Sequence, residues 1–580
     1  MPDRKQTLPP LDHRQRLEAL NPQHSYIVQA PAGSGKTELL TQRFLKLLAQ
    51  VAYPEHVLAI TFTRKAAREM TERIKRALAM ARDGIEPPSQ HAVETYHLAR
   101  SALANDQRLG WKLHQNPNRL RIMTIDAFCM QLTQQLPIDS GLGNLHAISS
   151  HPQKDYLAAS QQMLSFLEEP GPIRTHLMSL LSHLDHQEGL LIQLFTQLLA
   201  KRDQWLPIVL QEAKQPPEDL KYHLEETLDL LHQDTLNKLI ALIPSHLHDQ
   251  LAQCCRFAGG HLLDSPSPTA LWHTQHALPD SHSDNHALWL GLIACLLTQD
   301  DQWRKTLDKR SGFPSNTTDK TEKAHWQAQK RAMMDVIEQL KSVPGLLAAL
   351  KHARRLPPAT LDNVTWEVLQ ALLKILPLLA AQCQIIFQQR QHVDYIEIAS
   401  RALAAIDNDG GANIDTALAL HLQLHHLLID EFQDTSPSQF ALVEALVNDW
   451  SLSDARTLFL VGDPMQSIYR FRQADVGLFI QAKNQGIGPV SLRYLALSTN
   501  FRSQPHVVEW INQHIGNLFP PIDRADDGAI SYSSSMAYHV SDPLIKTSIT
   551  AHKIASDTPD AEAQWVAAHL TMLQQHYPDD

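Results

Sequence analysis

Six short runs of aliphatic and β-branched residues recur along the chain: SYIVQA (25–30), VLAITFT (57–63), RIMTIDAF (121–128), HHLLIDE (425–431), RTLFLVGD (456–463) and YLALSTNFRS (494–503). Their apolar positions are consecutive, as expected of strands buried on both faces in a parallel sheet, and each run ends in polar, turn-forming residues of the kind that face ligands at a sheet's carboxyl edge. Stretches with helical periodicity follow the first two, TELLTQRFLKLLAQ and KAAREMTERIKRALAM, so the pattern predicts an α/β, doubly wound fold. Between about 133 and 395 the chain turns to Leu-, His- and Gln-rich helical periodicity, interrupted by turn-rich segments near 216, 275 and 316. This predicts a long all-helical insertion.

Composition narrows the function classes. With 43% apolar and 19% charged residues the chain is globular, and its net charge of −11 excludes a generally basic surface, so any nucleic-acid contact must come from a local groove. Five cysteines without a CxxC pair offer neither a disulfide framework nor a zinc ribbon, and the histidines lack metal-ligand spacing. The N-terminal MPDRKQTLPP is too polar for a secretory segment, and no apolar run is read as membrane-spanning. The expectation is a cytoplasmic protein with no membrane partner.

APAGSGKT, comprising Ala30, Pro31, Ala32, Gly33, Ser34, Gly35, Lys36 and Thr37, sits between a predicted strand and a predicted helix. There a glycine-rich turn aims backbone N–H groups at phosphates, Lys36 bridges the terminal phosphates and Thr37 holds Mg²⁺. Ala30 stands where the usual GxxxxGK[ST] pattern has its first glycine. LLIDEFQDT (427–435) supplies a second half: an apolar strand ending in adjacent acids, Asp430 for the metal and Glu431 as the base that orients water. Adjacent acids are common on solvated surfaces, but the three apolar residues directly before them, Leu427, Leu428 and Ile429, favour a site.

These residues resemble, in order, the motifs of superfamily 1 helicases of the UvrD/Rep type, more closely RecB/AddA-like and exonuclease V-like members. APAGSGKT looks like motif I, AITFTRKAAREM (59–70) like Ia, MTIDAFCMQL (123–132) like Ib, LLIDEFQDT like II, GDPMQSIYRFRQAD (462–475) like III and LSTNFRS (497–503) like IV. The resemblance implies a RecA-like P-loop NTPase domain in two parts, 1–132 and 396–480, a 1B-like insertion at 133–395 and the start of a second RecA-like domain at 481–580. It implies ATP and Mg²⁺ as cofactors, Gln15 as an adenine reader, Gln466 as a sensor of the terminal phosphate and Arg502 as its clamp, with Phe501 stacking on the base. For DNA it implies Phe62, Thr63 and Arg64 from motif Ia and Tyr469 and Phe471 from motif III, Phe471 standing where many relatives have tryptophan.

The expected function is therefore an ATP-dependent 3′–5′ DNA helicase or translocase of repair or recombination, acting on single-stranded DNA or a single/double-strand junction, with an AddB-like or RecC-like partner. About 290 residues separate motifs Ib and II, more than a compact repair helicase needs, which favours the end-processing branch. Nothing resembling motifs V and VI precedes HYPDD at the end of the sequence, so the expectation is an incomplete motor. The competing reading is a non-catalytic, regulatory protein that binds nucleotide and DNA without turnover. Tryptophans 205, 272, 289, 303, 326 and 366 are read mainly as helix packing and only secondarily as duplex contacts.

Overall fold

The computed structural model describes residues 9–87, 90–136, 147–212, 216–314, 319–406, 424–451, 454–468, 474–525, 528–539 and 559–576. The chain forms two compact units, residues 1–150 with 391–580, and residues 151–390.

All six predicted strands lie in one parallel sheet of the first unit. In chain order they are β1 (Tyr26–Gln29), β2 (Val57–Thr61), β3 (Arg121–Thr124), β4 (His426–Ile429), β5 (Thr457–Gly462) and β6 (Arg493–Ala496). Their spatial order is β3-β2-β4-β5-β1-β6, with registers such as Ile60↔Ile429, Leu428↔Phe459 and Val28↔Val461. Residues of β1, β2, β4 and β5 are buried throughout, which accounts for their unbroken apolar runs. Helices α1 (His13–Ala19), α2 (Lys36–Leu48), α3 (Arg64–Arg82), α4 (Gln90–Leu109) and α5 (Ile125–Gln135) join them. Leu39, Phe44, Leu47, Met70 and Ile74 of α2 and α3 share one core with Val28, Ala59, Leu428 and Phe459 of the sheet.

Three boundaries differ from the sequence reading. The run 121–128 is strand only to Thr124, because the Thr124 side chain accepts from Ala127 N at 3.2 Å and starts α5 there. The segment from 481, expected to open a second domain, still serves the first: Arg493–Ala496 pairs with β1 as the edge strand. The insertion is narrower than 133–395, since α5, the short parallel pair Ala147–Ile148 with His392–Val393, and helix Tyr395–Ile406 all belong to the first unit.

Among the described residues, the regular elements of the second unit are all helical, apart from an isolated bridge between Leu297 and Trp303. Its core gathers Leu236, Leu251, Phe313, Ile337 and Leu350 around Trp272 and Trp289, both fully buried. Trp205, Trp303, Trp326 and Trp366 are half-buried, so packing claims two of the six tryptophans completely. Helix Asn363–Arg390 is long and apolar enough by composition to cross a membrane, contrary to the sequence reading; here it packs against helices Pro152–Ser165 and Pro172–His183.

Candidate nucleotide site and nucleic-acid groove

Every predicted site residue in the described part of the first unit follows the carboxyl end of a strand, or lies on α1 beside it. The turn from β1 to α2 needs two left-handed residues, supplied by Gly33 at φ +75° and Gly35 at φ +80°. A Cβ on Gly33 would stand 2.6 Å from Asn500 Oδ1 and 2.9 Å from Arg502 Cβ. Ala30 needs no such freedom: it is buried at the end of β1, its N–H donating to Gly462 O at 2.9 Å, which explains why the missing glycine is tolerated.

Lys36 opens α2, and its Nζ donates to Glu431 Oε2 at 2.8 Å, joining residues 395 positions apart. Glu431 reaches this point from a left-handed backbone (φ 52°, ψ 43°), a conformation rarely adopted away from glycine and concentrated at functional sites. Gln433 fixes the arrangement: its Nε2 donates to Glu431 Oε2 at 2.8 Å and its Oε1 accepts from Asp463 N at 2.9 Å. Asp430 is buried directly before Glu431, whose N–H donates to Asp430 Oδ1 at 3.0 Å. Burial first, and the Glu431 charge second, push the Asp430 carboxyl up to about 7 against the pull of Lys36. The same two causes raise Asp434 to about 6. Thr37 stands half-buried in the first turn of α2.

The donor set fits a magnesium nucleotide on two observations: a carboxylate raised by burial and by the neighbouring Glu431 charge, the second of which a cation would relieve, and two orphaned polar atoms, one in the phosphate loop and one on α1. Ser34 Oγ and Gln15 Oε1 are both buried without a hydrogen-bond partner. Gln466 is exposed and donates to Asp463, which caps the short helix Pro464–Gln466, so its amide is hydrogen-bonded away from the Lys36–Glu431 pair. Arg502 is exposed, while its N–H and that of Ser503 donate to Asn500 Oδ1 at 2.8 Å each. Phe501 N donates to Gly33 O at 2.8 Å, and its ring lies between the Arg16 guanidinium, 5.0 Å from the centroid, and Tyr538 at 4.9 Å.

Phe62, Thr63 and Arg64 line an open cavity of about 460 Å³ together with Thr124, Gln131 and Tyr395. Thr63 caps α3 by accepting from Ala66 N at 3.1 Å, so the N-termini of α3 and α5 both open on this cavity, where their pull on anions is partly offset by Asp126 of the first turn of α5. Arg64 is exposed and Tyr395 is 45% exposed. Tyr469 and Phe471 lie outside the described residues.

Sequence reasoning missed Asp12, Arg16, Gln433, Asn500 and Tyr395. Asp12 is 1% exposed and binds Arg16 through both oxygens, at 2.7 and 3.0 Å, while Ser498 N and Thr499 N donate to its Oδ2 at 2.9 Å each. Burial alone would raise this carboxyl; Arg16 and the two amides together hold it below its ordinary value. The hint was the pair itself, an acid and an arginine one helical turn apart beside Gln15.

The family described as UvrD/REP helicase N-terminal domain matches residues 11–486. The chain is also similar to bacterial proteins that are named as one of the subunits of an ATP-dependent helicase/nuclease. That of Latilactobacillus sakei is 25% identical, covering 88% of this chain and 56% of the relative. That of Levilactobacillus brevis is 24% identical over 95% and 42%, and that of Staphylococcus aureus 25% over 84% and 38%. The chain thus spans about half of these relatives or less.

Proposed function

From the premise that the chain belongs to the UvrD/REP helicase family, we propose that it is the ATP- and DNA-binding part of a 3′–5′ DNA translocase or helicase of repair or recombination. The observation that carries this is the Lys36–Glu431 contact at 2.8 Å, which joins the phosphate loop to the paired acids. Lys36 neutralises the terminal phosphates, Glu431 orients and deprotonates the attacking water, and Arg502 meets the charge that develops on the transferred phosphoryl group. Thr37 and Asp430 would hold Mg²⁺, which supplies charge neutralisation across the phosphates. Ala30, Pro31, Ala32, Gly33, Ser34 and Gly35 cradle the phosphates, Gln15 and Phe501 take the adenine, and Gln466 turns toward the terminal phosphate once nucleotide is present.

Phe62 and Tyr395 offer ring faces to successive bases, while Arg64 and the two helix N-termini take the backbone; this reading is sequence-tolerant, as a translocase requires. The names of the relatives, which join helicase and nuclease in one subunit, favour the end-processing branch; the partner would be the AddB-like or RecC-like subunit that the motif resemblance implies. The test is ATP turnover with and without single-stranded DNA for the wild type, Lys36→Ala and Glu431→Gln. Stimulation in the wild type, with turnover lowered at least about 10³-fold in both variants, is expected. Nucleotide and DNA binding without any turnover in the wild type would establish the non-catalytic, regulatory reading instead.

A further inference from the structure

An aspartate at a helix N-cap normally accepts from the backbone amides of the first turn. Asp12 occupies the N-cap of α1 yet makes no such bond. Its two oxygens are spent instead on Arg16 and on the Ser498 and Thr499 amides, which belong to the chain leaving β6. That chain runs along the phosphate loop: Leu497 N donates to Gln29 O at 2.8 Å, Asn500 Nδ2 to Ala32 O at 3.1 Å and Phe501 N to Gly33 O at 2.8 Å. Asn500 in turn holds the Arg502 amide. Arg16, having committed Nε and Nη2 to Asp12, lays its guanidinium over Phe501, and its Nη1 lies 3.6 Å from where a Cβ of Gly35 would stand.

We propose that Asp12 and Arg16 are positioning residues for the nucleotide reaction: a latch by which α1 holds the 498–502 segment against the phosphate loop and so sets where Arg502 meets the terminal phosphate. The proposal rests on the reading of the site as an ATPase. The latch reaches Arg502 through backbone amides, in the order Asp12, Ser498 and Thr499, Asn500, Arg502. It makes the base-reading helix and the phosphate arginine one rigid piece, so that a base seated against Gln15 is felt at the other end of the nucleotide. A neutral amide at position 12 cannot serve all four donors, because one of its two ends is itself a donor.

The test uses the full chain with Asp12→Asn, Arg16→Ala and Arg16→Lys, read by ATP turnover on single-stranded DNA and by the affinity for ADP, which lacks the phosphate that Arg502 meets. The expected result is a kcat lowered at least about tenfold in Asp12→Asn and Arg16→Ala with a clearly smaller loss of ADP affinity, since ADP still meets Phe501 but has no phosphate for Arg502. Arg16→Lys, which keeps the charge, should fall between, and added guanidinium should restore part of the Arg16→Ala rate. ADP affinity falling in parallel with kcat, or turnover unchanged in all three variants, overturns the latch. Should Asp12→Asn fail to fold, Arg16→Lys and the guanidinium rescue decide alone. Absence of ATP turnover in the wild type would instead reject the ATPase reading.

Discussion

Arg43 is fully buried on the sheet-facing side of α2, and its hydrogen-bond partners are carbonyls and a hydroxyl, with aromatic rings beside them. It donates to Ala19 O at 3.0 Å, to Asn21 O, to His24 O at 2.9 Å and to Thr457 Oγ1 at 3.4 Å, and stacks over Tyr26 and Phe459 at 5.7 and 5.2 Å. Burial pulls its pKa from 12.5 to about 10, so the charge is held against a penalty of about 3 kcal/mol. Replacement by methionine removes that penalty. It also removes charge-assisted bonds and ring contacts totalling about 4 kcal/mol and strands a buried carbonyl at about 2 kcal/mol, leaving a net loss of about 3 kcal/mol. Arg43→Lys retains the penalty and loses the planar fork, so it should be at least as destabilising as Arg43→Met despite being the conservative change. The effect falls on the end of α1 and the entry to β1, where hydrogen exchange should quicken by about 100-fold in both variants. Global unfolding would average over two units and blur it. Lysine within about 1 kcal/mol of wild type, or unchanged exchange at α1, would refute this account of how the arginine is held.

Three further outcomes follow from the same geometry. Burial first, then Arg43 and two histidines, pull His426 down to about 3, so the folded chain refuses a proton that the unfolded chain takes up below about 6.5. Stability is therefore full above about pH 6.5 and is lost as pH falls toward about 3; His426→Gln should remove about 2 kcal/mol of the loss between about pH 7.5 and 5, and parallel melting curves for the two proteins would contradict it. Phe62→Ala and Tyr395→Ala should each weaken binding of an oligo-dT strand by about 1–3 kcal/mol with an unchanged salt slope, whereas Arg64→Ala should flatten that slope by about 0.7, all measured by fluorescence anisotropy. Gly33→Ala forces a left-handed alanine into Asn500 and should abolish ADP binding measured by calorimetry, while Ala30→Gly should leave it within about threefold.

Strands β1, β2, β4 and β5 were legible because burial on both faces writes itself as a continuous apolar run, and the residues of the phosphate loop because their spacing is dictated by a turn around phosphate. Strand order was not: β4 lies between β2 and β5, and nothing in 57–61 announces a neighbour near 428. The end of β3 was misread because Thr124 acts as a helix cap, a role carried by one hydroxyl. Asp12, Gln433 and Asn500 were invisible for a related reason. Each binds backbone amides or carbonyls of a distant segment, and such contacts leave no periodicity in either partner. Gln15 and Arg502 were assigned to the site only through resemblance to known motifs.

The two-residue clasp of Ala147–Ile148 with His392–Val393 bears on how this chain could have grown. Parallel pairing puts the exit of the first strand and the entry of the second at opposite ends of the pair, but with only two residues in each, Ile148 and His392 still lie within roughly 10 Å of each other. Any autonomously folding segment whose own termini are that close could occupy the gap without disturbing the ATP-binding sheet. The helical unit is in this sense a single interruption of the chain, and its length and content are set independently of the strand registers on either side of it.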